Sequence, residues 1–290
     1  MDDKIRGIIE KLARGIVKSR GNPLLILYYS DFIPPGRGRI VRKDIEYLYK
    51  VLGEGRKTKI ENLDVLLHTY GGEPGAAYLM MKMINDIAKN VTMLVPYYAY
   101  SAGTLMCMGT NKIELGPYAT LSPIDIHYDT PDGKTIYLIN VDSYIEFAKL
   151  CRKTCEDDKL KTNVETGLLT ELVKQVGALD LGGIFRARTL TAHYADRLLT
   201  DHMFSNLPEN DREERKNRVI SSLIWGIPSH DFEIDYWITK NLGLFVDRMK
   251  TPENENAMLL VDELGNATNA GIICRYLGEK LRMPFFKLFK

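Results

Sequence analysis

Leu63-Asp64-Val65-Leu66-Leu67-His68-Thr69-Tyr70-Gly71-Gly72-Glu73-Pro74-Gly75 is the stretch on which the reading of the fold turns. Leu63 to Leu67 is short and apolar enough for a buried strand, and the paired glycines stop it. From Ala76 to Ala88, the residues Ala77, Leu79, Met80, Met83, Ile84 and Ile87 recur at helical spacing; Val91 to Pro96 then reads as another strand. Strand, loop, helix, strand in that order predicts a right-handed parallel α/β unit.

The same grammar extends in both directions. Upstream, Leu24 to Tyr29 reads as a buried strand after the Gly21-Asn22-Pro23 break, Asp31 to Arg39 as a Pro/Gly-rich loop, and Val41 to Leu52 as a helix. Residues 4 to 18 place Ile5, Ile8, Ile9, Leu12, Ile16 and Val17 on one helical stripe, which should dock on a core or on a neighbouring subunit. Downstream, Ser101 to Met108 suits a buried helix and Lys112 to Leu115 a short strand. From Val141 to about Trp225 the pattern turns helical and charge-rich, with Leu168, Leu169, Leu172, Val173 and Val176 in one stripe. Strand and turn signals return at 226–247, and Thr251 to Asn256 reads as a polar linker. The expected organisation is an N-terminal helix (1–22), a main domain (23–250) with a helical insert at about 141–225, and a C-terminal extension (251–290).

The chain has 290 residues, 45% hydrophobic and 27% charged, which suits a folded globular protein with its own apolar core. A net charge of +1 gives no field for nucleic acid or an anionic membrane, so neither is expected as a main partner. No apolar run approaches the ~18 residues of a membrane span, and Met1-Asp2-Asp3-Lys4 does not open a signal peptide. A cytoplasmic protein is expected. The four cysteines, Cys107, Cys151, Cys155 and Cys274, are too scattered for a disulfide framework; with five histidines they offer no metal-ligand spacing. No Gly-x4-Gly-Lys-Ser/Thr run occurs, so no nucleotide site and no cofactor are expected.

Two segments carry possible chemistry. The glycine pair at the end of a predicted parallel strand could turn backbone N–H groups toward a developing oxyanion, although a double glycine alone is commonly just a tight turn. Pro96-Tyr97-Tyr98-Ala99-Tyr100-Ser101-Ala102-Gly103-Thr104 again follows a strand and opens a helix of small residues. A serine there either attacks a substrate or caps the helix.

Leu67-His68-Thr69-Tyr70-Gly71-Gly72, Val95 to Thr104, and Ala119-Thr120-Leu121-Ser122-Pro123-Ile124-Asp125 together resemble the serine dehydrogenase proteinase family. That family is related to signal peptide peptidase A, the Clp protease proteolytic subunit and crotonase. The resemblance covers residues 60 to 130 and returns from His230-Asp231-Phe232 to Leu242-Gly243-Leu244. It implies a ClpP/crotonase-like spiral of βα units and a serine peptidase with Ser101 as nucleophile. The amides of Gly71, Gly72 and Ala102 would form the oxyanion hole, and a peptide would add as a strand beside the glycines. The sequence departs from the family at Tyr70, where members carry Pro, and at Ala102 or Ser122, where they carry Gly.

Serine needs a proton acceptor, and several residues compete for that role. His230 matches a family histidine, with Asp231 to orient its ring. Asp125 aligns approximately with the histidine position of the Clp proteolytic subunit, and His127 would share its strand face. Lys153 falls where signal peptide peptidase A supplies a lysine, within a lysine-rich helical face. His68 could line the site. The expected function is a cytoplasmic serine peptidase acting on peptide or protein substrates as a homo-oligomer; the alternative is an inactive scaffold or peptide-binding module of the same fold.

Overall fold

The computed structural model describes residues 3–30, 38–52, 59–129, 135–154, 158–226, 232–267, 272–276 and 281–282. In chain order, α1 (Asp3–Arg20) leads to β1 (Leu24–Tyr28), α2 (Asp44–Leu52), β2 (Ile60–His68), α3 (Pro74–Ile87) and β3 (Ala88–Val95). Next come β4 (Tyr98–Ala99), α4 (Ala102–Met108), β5 (Lys112–Leu115), β6 (Thr120–Leu121), β7 (His127–Asp129) and β8 (Thr135–Tyr137). The helical region holds α5 (Leu138–Thr154), α6 (Asp158–Val176), α7 (Ala178–Leu198) and α8 (Glu209–Ile220), with π-helical turns at 199–203 and 221–226. The chain continues through α9 (Tyr236–Leu242), β9 (Val246–Arg248), α10 (Glu253–Ala267), β10 (Ile272–Tyr276) and β11 (Leu281–Arg282).

The fold is α/β around a mostly parallel sheet in the order β11-β10-β1-β2-β3-β5-β9, with β1, β2, β3, β5 and β9 mutually parallel. Register aligns Leu25, Val65, Met93, Ile113 and Val246 across those five strands, one apolar row facing α2, α3, α4 and α7. The alternate residues Leu24, Ile26, Leu66 and Leu94 face α1 and α10. Burial on both faces is why β1 reads as an unbroken apolar run, whereas β5, Lys112–Leu115, alternates apolar and charged residues and β9 exposes Asp247 and Arg248. A second, small sheet hangs from the end of β2: Thr69 bridges Ala99 of β4, β4 pairs with β6, and Leu121 bridges Ile234.

One expectation needs revision and two are sharpened. Thr251–Asn256 is not a linker, because α10 starts at Glu253. Its acidic first turn, favoured at a helix N-terminus, hides an apolar stripe of Ala257, Leu260, Val261 and Leu264. From the 251–290 segment, β10 pairs with β1 at Ile26↔Cys274 and so joins the main sheet. Of the two docking sites open to the α1 stripe, the structure shows the chain's own core: Ile9, Ala13 and Ile16 are fully buried in the cluster shared with α10.

At the C-terminal end of α1, Arg20 joins Asp64 and Glu114, each 2.7 Å away, tying the helix to β2 and β5. Burial opposes the Glu114 charge, but the Arg20 guanidinium outweighs it and holds the carboxyl below its ordinary value.

Candidate active site

Ser101 stands between β4 and α4 with φ 50° and ψ −110°, and among the described residues it is the only non-glycine at positive φ. Such a conformation costs about 1–3 kcal/mol and persists only where its surroundings enforce it. Here they do. Ser101 N donates to Ser122 Oγ at 2.8 Å, Gly103 N to Tyr100 O at 2.7 Å, and Leu105 N to Ser101 O at 3.0 Å. Ser122 Oγ in turn donates to Pro123 O at 2.9 Å, and Thr104 Oγ1 lies 2.9 Å from both Ala99 O and Ser122 O. Ser122 and Thr104 thus brace the turn, a role that sequence reading did not assign; their only signal was two small polar residues in apolar surroundings.

The glycine pair closes on this turn. Gly71 (φ 104°) leaves no room for a side chain, since a Cβ there would lie 2.8 Å from Tyr100 O and 2.9 Å from Ser101 Cβ. Gly72 (φ 151°) is equally constrained from the other side, where a Cβ would meet the Ile40 backbone. Ile40 N donates to Gly71 O and Glu73 N to Ile40 O, both at 2.8 Å, so one edge of the glycine segment is taken by the chain itself. Strand geometry turns the peptide groups of Gly72 to the opposite edge.

Of the three amides expected in an oxyanion hole, Gly71 N–H is already committed to Thr69 Oγ1 at 2.9 Å. The amides of Gly72 and Ala102 have no acceptor among the described residues. These two are free to receive an anionic oxygen.

Asp125 shares a cavity of about 260 Å³ with Gly72, bounded by Thr191 and Tyr194 of α7. Its Oδ1 accepts from Ile126 N at 2.8 Å, and it precedes β7 rather than sharing a strand with His127, as the sequence suggested. His127 opens β7, paired with Tyr137. His230 and Asp231 lie outside the described residues. Lys153 is exposed near the end of α5. Ser101 Oγ makes no side-chain hydrogen bond among the described residues, and Ser101 itself is only 8% exposed.

His68 is buried on the other face of the strand, away from Thr69. It stacks on Tyr28 with ring centroids 5.4 Å apart and packs on Tyr98 at 4.3 Å. Tyr70, the departure from the family pattern, joins the same aromatic wall at 4.8 Å from Tyr98 and 5.9 Å from Tyr100.

No protein-family model matches the chain. It is 24% identical over 208 residues to MJ0137, an uncharacterized protein of Methanocaldococcus jannaschii, which covers 72% of this chain and 60% of that protein. A second uncharacterized protein of the same organism, MJ1495, is 19% identical over 185 residues, 64% of this chain and 52% of its own length. The chain therefore spans between about half and three-fifths of the length of these relatives.

Proposed function

We propose that this chain is a serine peptidase of ClpP/crotonase-like architecture, with Ser101 as nucleophile and the Gly72 and Ala102 amides as oxyanion donors. The observation that carries the reading is the enforced positive φ of Ser101 directly against Gly71. A strained serine between a strand and a helix presents its hydroxyl where a helix-capping serine would turn it to the backbone, and Ser101 forms no side-chain cap. The βα succession and the small second sheet at the end of β2 favour that architecture.

In the proposed reaction a base removes the Ser101 Oγ proton as Oγ attacks the peptide carbonyl. The two amides hold the tetrahedral oxyanion; the proton passes to the leaving amine as the C–N bond breaks; water then releases the acyl group by the same route. His230 remains the first choice of base, with Asp231 as its orienting partner. In its favour, Glu233, three residues on, accepts from Tyr100 OH at 2.8 Å, and Ile234 pairs with Leu121, both next to the Ser101 turn. His127 ranks second and Lys153 third.

A homo-oligomer would suit the apolar side chains exposed on the helical region, Phe147, Leu150, Leu169, Val173, Leu179 and Phe185. A cytoplasmic setting fits Cys107 and Cys151, neither of which is in a disulfide among the described residues. Among the described residues no helix is long and apolar enough to cross a membrane.

Hydrolysis of an unfolded protein substrate tests the reading. Wild type should cleave it and Ser101→Ala should not, while His230→Ala and His127→Ala identify the base by which of them loses turnover. Equal cleavage by wild type and Ser101→Ala contradicts it. The second reading, a peptide-binding module without turnover, draws on the lack of a described side chain bonded to Ser101 Oγ, and binding without cleavage would favour it.

A further inference from the structure

Behind the Ser101 turn, at the C-terminal ends of the parallel strands, lies a cavity of about 740 Å³. One wall is aromatic: Tyr28, Tyr97, Tyr98, Tyr100 and Tyr118, with His68 among them. Tyr98 and Tyr100 are stacked with centroids 4.7 Å apart, and Tyr98 also contacts His68, so the wall is a continuous set of π faces and edges. Two carboxylates, Glu233 and Asp262, complete the lining.

Those carboxylates, both solvent-exposed at the cavity rim, differ from the two buried on this face of the sheet. Asp64 and Glu114 are matched by Arg20 at 2.7 Å, and Glu114 also by Lys112 at 3.2 Å. Among the described residues neither Glu233 nor Asp262 has a Lys or Arg partner. Each is held by a phenol: Tyr100 OH donates to both Glu233 oxygens at 2.8 Å, and Tyr97 OH to the Asp262 oxygens at 2.9 and 3.1 Å. Burial and these carboxylates push both hydroxyls up to about 12, so at neutral pH the phenols keep their protons and remain donors. The cavity therefore carries two negative charges beside aromatic faces whose own quadrupoles are negative.

We propose that this cavity is a binding site for an organic cation, an alkylammonium or guanidinium group, held against the tyrosine faces and neutralised by Glu233 and Asp262. A cation satisfies both features together: the rings attract it through their faces and the carboxylates receive its N–H groups or its charge. A neutral ligand would gain nothing from the two carboxylates, and an anion would be repelled by them. The inference is independent of Ser101 as a nucleophile. The cation has two possible sources, a basic side chain on a peptide or a free amine.

The test is calorimetric titration of the full chain with N-acetyl-arginine amide, N-acetyl-lysine amide, agmatine and tetramethylammonium, and with the neutral isostere N-acetyl-norleucine amide. The cations should bind saturably and at least about tenfold more tightly than the neutral amide, the magnitude of one desolvated cation–π contact. Glu233→Gln and Asp262→Asn should each weaken the cations by about tenfold and leave the neutral amide unchanged. Tighter binding of the amides than of agmatine or tetramethylammonium identifies a peptide side chain as the source, and the reverse a free amine. Equal affinity of wild type for cationic and neutral amides, or no binding of any cation, overturns the proposal, and that comparison needs no variant to fold.

Discussion

Thr69, Gly71 and Ser101 alternate along two chain segments with His68, Tyr70 and Tyr100, yet the two sets build different environments. The first set is closed by short hydrogen bonds and by glycines with no space for a Cβ. Of the second, His68 and Tyr100 line a cavity of about 740 Å³ walled by rings and unmatched carboxylates, and Tyr70 packs on the Tyr98 and Tyr100 rings beside it. Strand geometry alone sends neighbouring residues to opposite faces, so a single segment can serve two purposes at one-residue resolution. Substitutions in the braced set should therefore cost folding free energy, and those in the aromatic set should cost ligand affinity.

The sharpest way to break that contrast is Gly72→Val. A β-branched side chain there would drive into the Ile40 backbone, against its carbonyl oxygen. The expected loss exceeds about 3 kcal/mol in urea denaturation, beyond the ordinary range for one substitution. A loss below about 1 kcal/mol would show that the glycine segment yields easily, and the braced half of the comparison would fail.

Ser122→Ala comes next. It leaves the Ser101 N–H without its acceptor in a buried turn, at an expected cost of about 1–3 kcal/mol. Unchanged denaturation would mean that Ser122 does not enforce the Ser101 geometry.

Ser101→Gly should act in the opposite direction. Glycine occupies positive φ without the side-chain penalty, so the variant should gain about 1 kcal/mol in the same denaturation experiment while losing all hydrolysis. A loss of stability would indicate that the serine's conformation is not strained.

The smallest effect concerns the far end of the aromatic face, where the carboxylates have their cations. The Glu114 carboxyl is held below its ordinary value of 4.5, so its contribution is complete above that pH and disappears as pH falls through its lowered folded value. Glu114→Gln should accordingly flatten the acid side of the stability profile below pH 4.5, measured by denaturation at stepped pH. An unchanged acid limb would separate Glu114 from Arg20 energetically.

Much of this was legible in the residues. The apolar runs at 24–29 and 63–67, the short strand at 112–115 and the helical stripes at 4–18 and 76–88 each form the expected element. The glycine pair and Ser101 stood out because few residue types suit a turn after a parallel strand. What stayed hidden depends on partners distant in sequence. The pairing of Ile40 with Gly72, the capture of Gly71 N–H by Thr69, and the support from Ser122 and Thr104 leave no periodic trace. The tyrosines at 97, 98, 100 and 118 carry no sequence signal of a shared cavity, since only the fold brings Glu233 and Asp262 beside them. The polar opening of α10 resembled a linker because helix N-termini and linkers favour the same residues.

The central claim is that Ser101 is an activated nucleophile, and covalent labelling by a fluorophosphonate followed by intact mass tests it most directly. The account predicts one adduct per wild-type chain, located at Ser101 by peptide mapping, and none on Ser101→Ala. An unlabelled wild type, or an adduct that persists in Ser101→Ala, would contradict it.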